Sequence, residues 1–380
     1  MTFFIGHISA LRYLLAHRMP RGEGPLPQRL SPTKAKPQPG NTTSWATIRK
    51  AELPLGVSSS RMHVNVASVE DRRPSAAIAA HMWNAPGRYP YLRIDEQFCV
   101  LSPEACFLQL SLCLDFAQLV ELGFLLCGSY VPNSVSAQRR KNLEPLTTVE
   151  RLTKTVAQAV GYPGSTKALT ALHFVQPGSA SAMESKIGTA LSLTTQRGGC
   201  GLKPLLNESI ALSSQAQGFD WSRSRTPDFF WPEHMIALDY DSTEWHDETA
   251  RADYDERRRN ELAAMGIGSL TCRAKDFRNA MGMQQLFGQL AAALGKTASK
   301  TKDYQTKQEH LFWVLFGKGR WELDQEPPKR RKSPKPSDAK AGADTSAKPR
   351  KAKQAALEAK PTLNEHTIPE NKAYEVFILP

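Results

Sequence analysis

The apolar positions of this chain change their spacing several times, and each change marks an element. Over residues 5–18, around "GHISALRYLLAHR", Ile8, Leu11, Leu14 and Leu15 recur on one face, which predicts a short amphipathic helix. Residues 20–45 are rich in Pro, Gly and Ser and read as a loop. "MHVNVASV" and "YPYLRIDEQFCVLS" alternate or run apolar at strand length. In "SPEACFLQLSLCLDFAQLVELGFLLCGSYV" the helical spacing returns, with Ser102 as cap and Pro103 in the first turn, so a helix pair or a bent helix follows. Two more short helices flank "GYPGS" within residues 146–172.

A second pattern starts at "PGSASAMESKIGTALSLT". Ser181 can cap a helix there, and Glu184 follows at the spacing of a capping box. "LLNESIAL", "PDFFW", "MIALDYD" and "GSLTCR" read as strands. Between the last two lies a polar helix, "DETARADYDERRRNELAAMG", stopped by Gly266; "FRNAMGMQQLFGQLAAALG" is a closing helix. Helix, three strands, helix, strand, helix is the order of a small α/β layer. The expected organisation is therefore an α+β region over 1–175, an α/β layer over 176–296, a docking segment over 297–326 and a basic, disordered tail over 327–380. The docking segment carries the aromatics of "EHLFWVLFGKGRW", while the tail is too poor in aromatic and β-branched residues to fold alone.

Charge alters this picture in one place. The formal net charge is +12, but residues 328–353 hold ten Lys or Arg against Asp338 and Asp344. The basicity is largely a property of the tail, and Lys329, Arg330, Arg331 and Lys332 are its natural nucleic-acid contacts. The alternative for the tail is a solvated linker. Six cysteines stand without a CxxC pair or a His at zinc spacing and read as buried reduced thiols. No window approaches the ~20 apolar residues of a membrane span. His7 and Arg12 also interrupt the first apolar run, against a signal peptide. A soluble cytoplasmic protein with no membrane partner is expected.

The candidate chemistry lies in "TPDFFWPEHMIALDYDSTEWH", residues 226–246. Asp239 and Asp241 are two apart on a strand and share a face. A turn through Pro232 and Glu233 can return the second strand so that Asp228 lies beside Asp239 or Asp241. Such acids can cradle Mg²⁺, His246 can orient or deprotonate a water, and Glu184 can add a ligand or support one. By spacing alone the same acids also read as a solvated strand edge, and Glu184 as half of its own helix cap. In the "ERRR" helix, i,i+4 pairs of Asp253 with Arg257 and Asp255 with Arg259 account for its polarity without a function.

In order and spacing these segments resemble the endonuclease-like domains related to the very-short-patch-repair endonucleases, within the PD-(D/E)XK nuclease superfamily. The resemblance rests on Ser181 and Glu184; Pro227, Asp228 and Phe229; Asp239, Asp241 and His246; and Asp255, Arg258, Leu262 and Gly266. It covers roughly residues 178–295. Residues 1–175 resemble, more faintly, the AbiEi-type antitoxins of abortive-infection systems, on "HISALRYLLAHR", "RMHVNVAS" and "CVLSPEACFLQLSLCLDFAQLVELGFLLCGSY". The winged-helix unit that commonly opens those proteins does not precede "GHISALR", which weighs against a simple promoter-binding repressor.

The resemblance implies a PD-(D/E)XK-like small mixed sheet flanked by helices and Mg²⁺- or Mn²⁺-dependent hydrolysis of DNA. Asp228 would be the main metal ligand and Asp239 or Asp241 the second. Glu184 would support the site, His246 would activate water, and Arg258, with Arg257 beside it, would meet phosphate or pair with Asp255. A setting in phage defence or a toxin–antitoxin locus, with a cognate toxin as partner, also follows from it. The chain departs from the family pattern at three places. Asp239 replaces Glu and loses about 1.5 Å of reach, Ser242 replaces Gly, and Asp241 stands where a Lys is common. The alternative is an inactive DNA-binding or antitoxin-like regulator that keeps the nuclease fold as a scaffold; a third is an interaction protein working through its tail.

Overall fold

Two mixed sheets share one apolar core in the computed structural model. It describes residues 2–28, 30–40, 45–48, 54, 61–73, 75–84, 86–87, 90–132, 142–214, 216, 223–241, 248–297, 299 and 301–317. The chain opens with β1 (Phe3–Ile5) and α1 (His7–Ala16), then β2 (Ser31–Thr33) and a turn of helix, α2 (Trp45–Ile48). Next come β3 (Met62–Val66), β4 (Ile78–Met82), β5 (Tyr91–Arg93) and β6 (Phe98–Leu101). Four helices follow: α3 (Pro103–Leu110), α4 (Phe116–Leu126), α5 (Val149–Ala157) and α6 (Ser165–Leu172). The second half holds α7 (Ala182–Ser192), β7 (Leu205–Leu206), β8 (Ile210–Ala211), β9 (Ser224–Arg225), β10 (Phe229–Trp231) and β11 (Ile236–Asp241). It ends with α8 (Glu248–Ala264), β12 (Gly268–Arg273), α9 (Ala280–Ala293) and α10 (Lys302–Phe316).

The first sheet runs β2-β5-β6-β1-β3-β4. Its middle strand, β1, is parallel to β6 and antiparallel to β3, and β4 is an edge strand paired in parallel with β3. α1 crosses this sheet with Ile8, Leu11, Leu14 and Leu15 buried, as the spacing predicts. The long apolar segment after β6 is a helix pair, broken at residues 111–115. Ser102 Oγ accepts from Ala105 N to start α3, and Asp115 forms a capping box with Gln118 to start α4. Three strands of this sheet escape the sequence reading: β1, fused by its apolar run to the following helix; β4, mostly alanine and histidine; and β2, inside the Pro-rich loop.

The second sheet runs β12-β11-β10-β7, with β10 antiparallel to its neighbours and β12 parallel to β11. The parallel pair needs a crossover, and α8 supplies it. Alternation sets the two faces. Phe229, Trp231 and Leu238 join the main core, while Phe230 and Ala237 point the other way and bury against Leu262 and Ile267. "LLNESIAL" is two short strands rather than one, because Asn207 takes a left-handed conformation (φ 52°) and turns the chain. Within the expected docking segment, α10 packs on α4, α7 and α9 and buries Leu311, Phe312 and Leu315. The described chain is thus mixed α/β, its main core runs from Phe3 to Leu315, and all of it lies in one unit, residues 1–329. No described helix is long and apolar enough to cross a membrane.

Candidate functional site

The carboxylate site begins with register. Phe229 pairs with Leu238 across β10 and β11, so one step outward Asp228 lies opposite Asp239 and not Asp241. Hydrogen bonds lock this placement. Asp228 N donates to Asp239 Oδ1 at 3.1 Å, and Tyr240 N donates to Asp228 Oδ2 at 2.7 Å. Asp239 shares the strand face of Ala237, which packs against Leu262 of α8, so a residue one turn earlier on that helix meets it. That residue is Arg258: its Nη2 donates to Asp239 Oδ1 at 2.7 Å and to Thr226 O at 3.0 Å, while its Nε is buried without a hydrogen bond.

Glu184 approaches from α7. Ser181 Oγ caps that helix by accepting from Glu184 N, but the reciprocal half of the box is absent. The Glu184 carboxylate instead accepts from Ala180 N and from Asn207 Nδ2, both at 2.7 Å. Asn207 N in turn donates to Asp228 O at 3.2 Å, so the turn between β7 and β8 ties the acid of α7 to the strand end. Asn207 has no counterpart in the sequence reading; a lone Asn inside an apparent strand was its one signal.

The electrostatics follow from this crowding. Burial first, then the neighbouring Glu184 and Asp239 carboxylates, push the Asp228 pKa up to about 7, against the opposing pull of Tyr240 N and Arg258. Burial, then Asp228, Asp276 and Asp239, also raise the thiol of buried Cys272. Asp241, two residues beyond Asp239 on the strand, has Oδ2 at 3.8 Å from Arg273 Nε across the β11–β12 pair. Arg257 is exposed on α8. His246, Lys329, Arg330, Arg331 and Lys332 lie outside the described residues, as do the side chains of Asp253 and Asp255. The site thus unites Asp228, Asp239, Glu184 and Arg258, adds Asn207, and leaves Asp241 at the strand end.

A second polar cluster lies at the edge of the first sheet. His7 (first residue of α1), His63 (β3) and His81 (β4) place one ring nitrogen each within 4.8 Å of the others. The rings are stacked, with centroids 4.5–5.0 Å apart, and His63 Nδ1 is 2.9 Å from His81 Nε2. Burial first depresses all three pKa values, to about 3 for His7 and His63 and about 4 for His81; neighbouring histidines add to it at His7 and His63, and Arg72 and Arg61 at His81. Cys113, expected to be buried, is exposed, and its Sγ lies 3.2 Å from His7 Nε2. Sequence spacing passes over this cluster because its histidines come from three separate elements, α1, β3 and β4. Comparisons with protein-family models, with curated proteins and with solved structures return no match to the chain.

Proposed function

We propose that this protein is a metal-dependent DNA endonuclease of the PD-(D/E)XK kind, in which Asp228 and Asp239 hold the metal and Glu184 supports them. The observation that carries this reading is the pairing of Asp228 with Asp239 at one strand end, where burial and the neighbouring Glu184 raise Asp228 to about 7. The element order from α7 through β10, β11, α8 and β12 also supports it, being the order that the family resemblance implies.

Hard carboxylate oxygens suit Mg²⁺ or Mn²⁺, and Asp228 Oδ2 alone is engaged by Tyr240 N, leaving Oδ1 for another partner. When bound, such an ion supplies Lewis-acid polarisation of a phosphodiester and a more acidic water. The chain's own residues supply the rest. Tyr240 N and Arg258 fix the directions of Asp228 and Asp239, and Arg258 brings positive charge to the point where phosphate charge would build up. Burial and the nearby acids favour the protonated form of Asp228, so loading the site releases a proton. DNA is the proposed substrate, the basic tail a sequence-independent contact to it, and a cognate toxin a proposed partner.

A second reading is a non-catalytic, antitoxin-like regulator. The bond from Arg258 Nη2 to Asp239 at 2.7 Å favours it, since the guanidinium balances part of the acid charge without an ion. Cleavage of supercoiled plasmid with Mg²⁺ or Mn²⁺ separates the two. The expected result is nicking or cutting by the full chain and a loss of roughly 100-fold or more in Asp228→Ala, the scale seen when one transition-state contact is removed. DNA binding without cleavage by either protein would install the regulator reading.

A further inference from the structure

We propose that His7, His63 and His81 form a Zn²⁺ site that clamps the start of α1 to the edge of the first sheet. Neutral imidazole is a donor of borderline cations, with Zn²⁺ foremost, whereas the carboxylates of the other site suit hard ones. Three ring nitrogens within 4.8 Å of one another supply three donors at one point.

The surroundings are built rather than incidental. His7 starts α1 with φ 52°, a left-handed conformation that costs a β-carbon-bearing residue free energy and gathers at functional sites. A buried chain of amides holds it there. Gln109 Oε1 accepts from His7 N at 2.6 Å, Gln109 Nε2 donates to Asn65 Oδ1 at 2.7 Å, and Asn65 Nδ2 donates to Tyr91 OH at 3.1 Å. Gly6 is required by the same network, because a Cβ there would lie 2.3 Å from Asn65 Oδ1. The backbone N–H of His63 donates to Ser9 Oγ at 3.0 Å, so the strand that carries the second imidazole is tied to α1 as well. His7 Nδ1 is buried with no hydrogen-bond partner, an orphan that a network this complete has no other reason to leave.

The stacked rings lie nearly parallel, with interplanar angles of 6–15°. A shared ion must lie in the plane of each ring, so binding turns the rings about their Cβ–Cγ bonds. It also exchanges the His63–His81 contact for metal bonds. Three protein donors leave the fourth position of a tetrahedral ion to water.

The test uses the full chain, stripped with chelator and titrated with Zn²⁺, then with Co²⁺ as a coloured substitute. Expected are one tight equivalent competing with a chromophoric chelator and a higher melting temperature with Zn²⁺. The Co²⁺ form should show a tetrahedral spectrum that is unchanged in Cys113→Ser. Binding should persist in Asp228→Ala and fall at least 100-fold in His81→Gln, a partly buried position whose change spares the buried His63. Failure of the wild-type chain to bind Zn²⁺ would overturn the proposal. So would binding that survives His81→Gln or is lost in Asp228→Ala.

Discussion

Asp228 shows how one residue can serve a site at the expense of the fold. Its carboxyl titrates near 4 in an unfolded chain and near 7 here, so the folded state holds the proton more tightly. Its contribution is therefore most favourable below pH 4, and stability declines as pH rises toward 7. Asp228→Asn keeps an acceptor for Tyr240 N and carries no charge. It should melt close to wild type at pH 4 and higher than wild type at pH 8, by roughly 1–3 kcal/mol after allowance for partial exposure. Thermal melts at the two pH values check this; equal shifts at both would show that the carboxylate is not under repulsion. The meeting of Asp228 and Asp239 was legible from strand parity plus a turn. The choice of Asp239 over Asp241 was not, because it depends on a one-residue register. Asn207 and the three histidines were illegible because nothing in a linear pattern says which distant residues face each other.

At the scale of elements, long periodic segments were readable and short ones were not. α1, α3, α4, α8 and α9 announce themselves by apolar spacing, by a Ser-Pro start or by the stop at Gly266. β1 and β2 have three residues each, too few for any period to develop. They are strands because the sheet supplies partners for their backbone groups, a tertiary cause. The junction between β1 and α1 illustrates the tight tolerance of such places. Gly6→Ala pushes a methyl into Asn65 and breaks the amide chain behind His7, and should cost about 2–4 kcal/mol as a buried hydrogen-bond and packing defect. Denaturant unfolding measures it; a cost under 0.5 kcal/mol would mean that the junction yields easily.

For the whole molecule, the sequence suggested separate N- and C-terminal folded regions, whereas the main core runs without a gap across residue 175. Phe124 of α4 lies against Gly188 of α7, whose missing Cβ would meet that ring at 2.9 Å. A shift in composition marks where a chain changes pattern; the side chains that face each other across the change are fixed only by the fold. If the core is shared, Leu14→Ala under the first sheet and Leu286→Ala in α9 should each lower the same transition, by about 2–5 kcal/mol. Fluorescence and circular dichroism should follow one curve in both variants, and separate transitions would mean that each sheet carries its own core. The position of α10 in the chain has a further consequence. Its Leu311, Phe312 and Leu315 cover α4 and α7, yet it follows α4 by about 190 residues (316 minus 126). At a synthesis rate of about 5–20 residues per second, the nascent chain carries that apolar face uncovered for roughly 10–40 s. During that interval the face is open to chaperones and to neighbouring nascent chains, and the helix that protects it is the last described element to leave the ribosome.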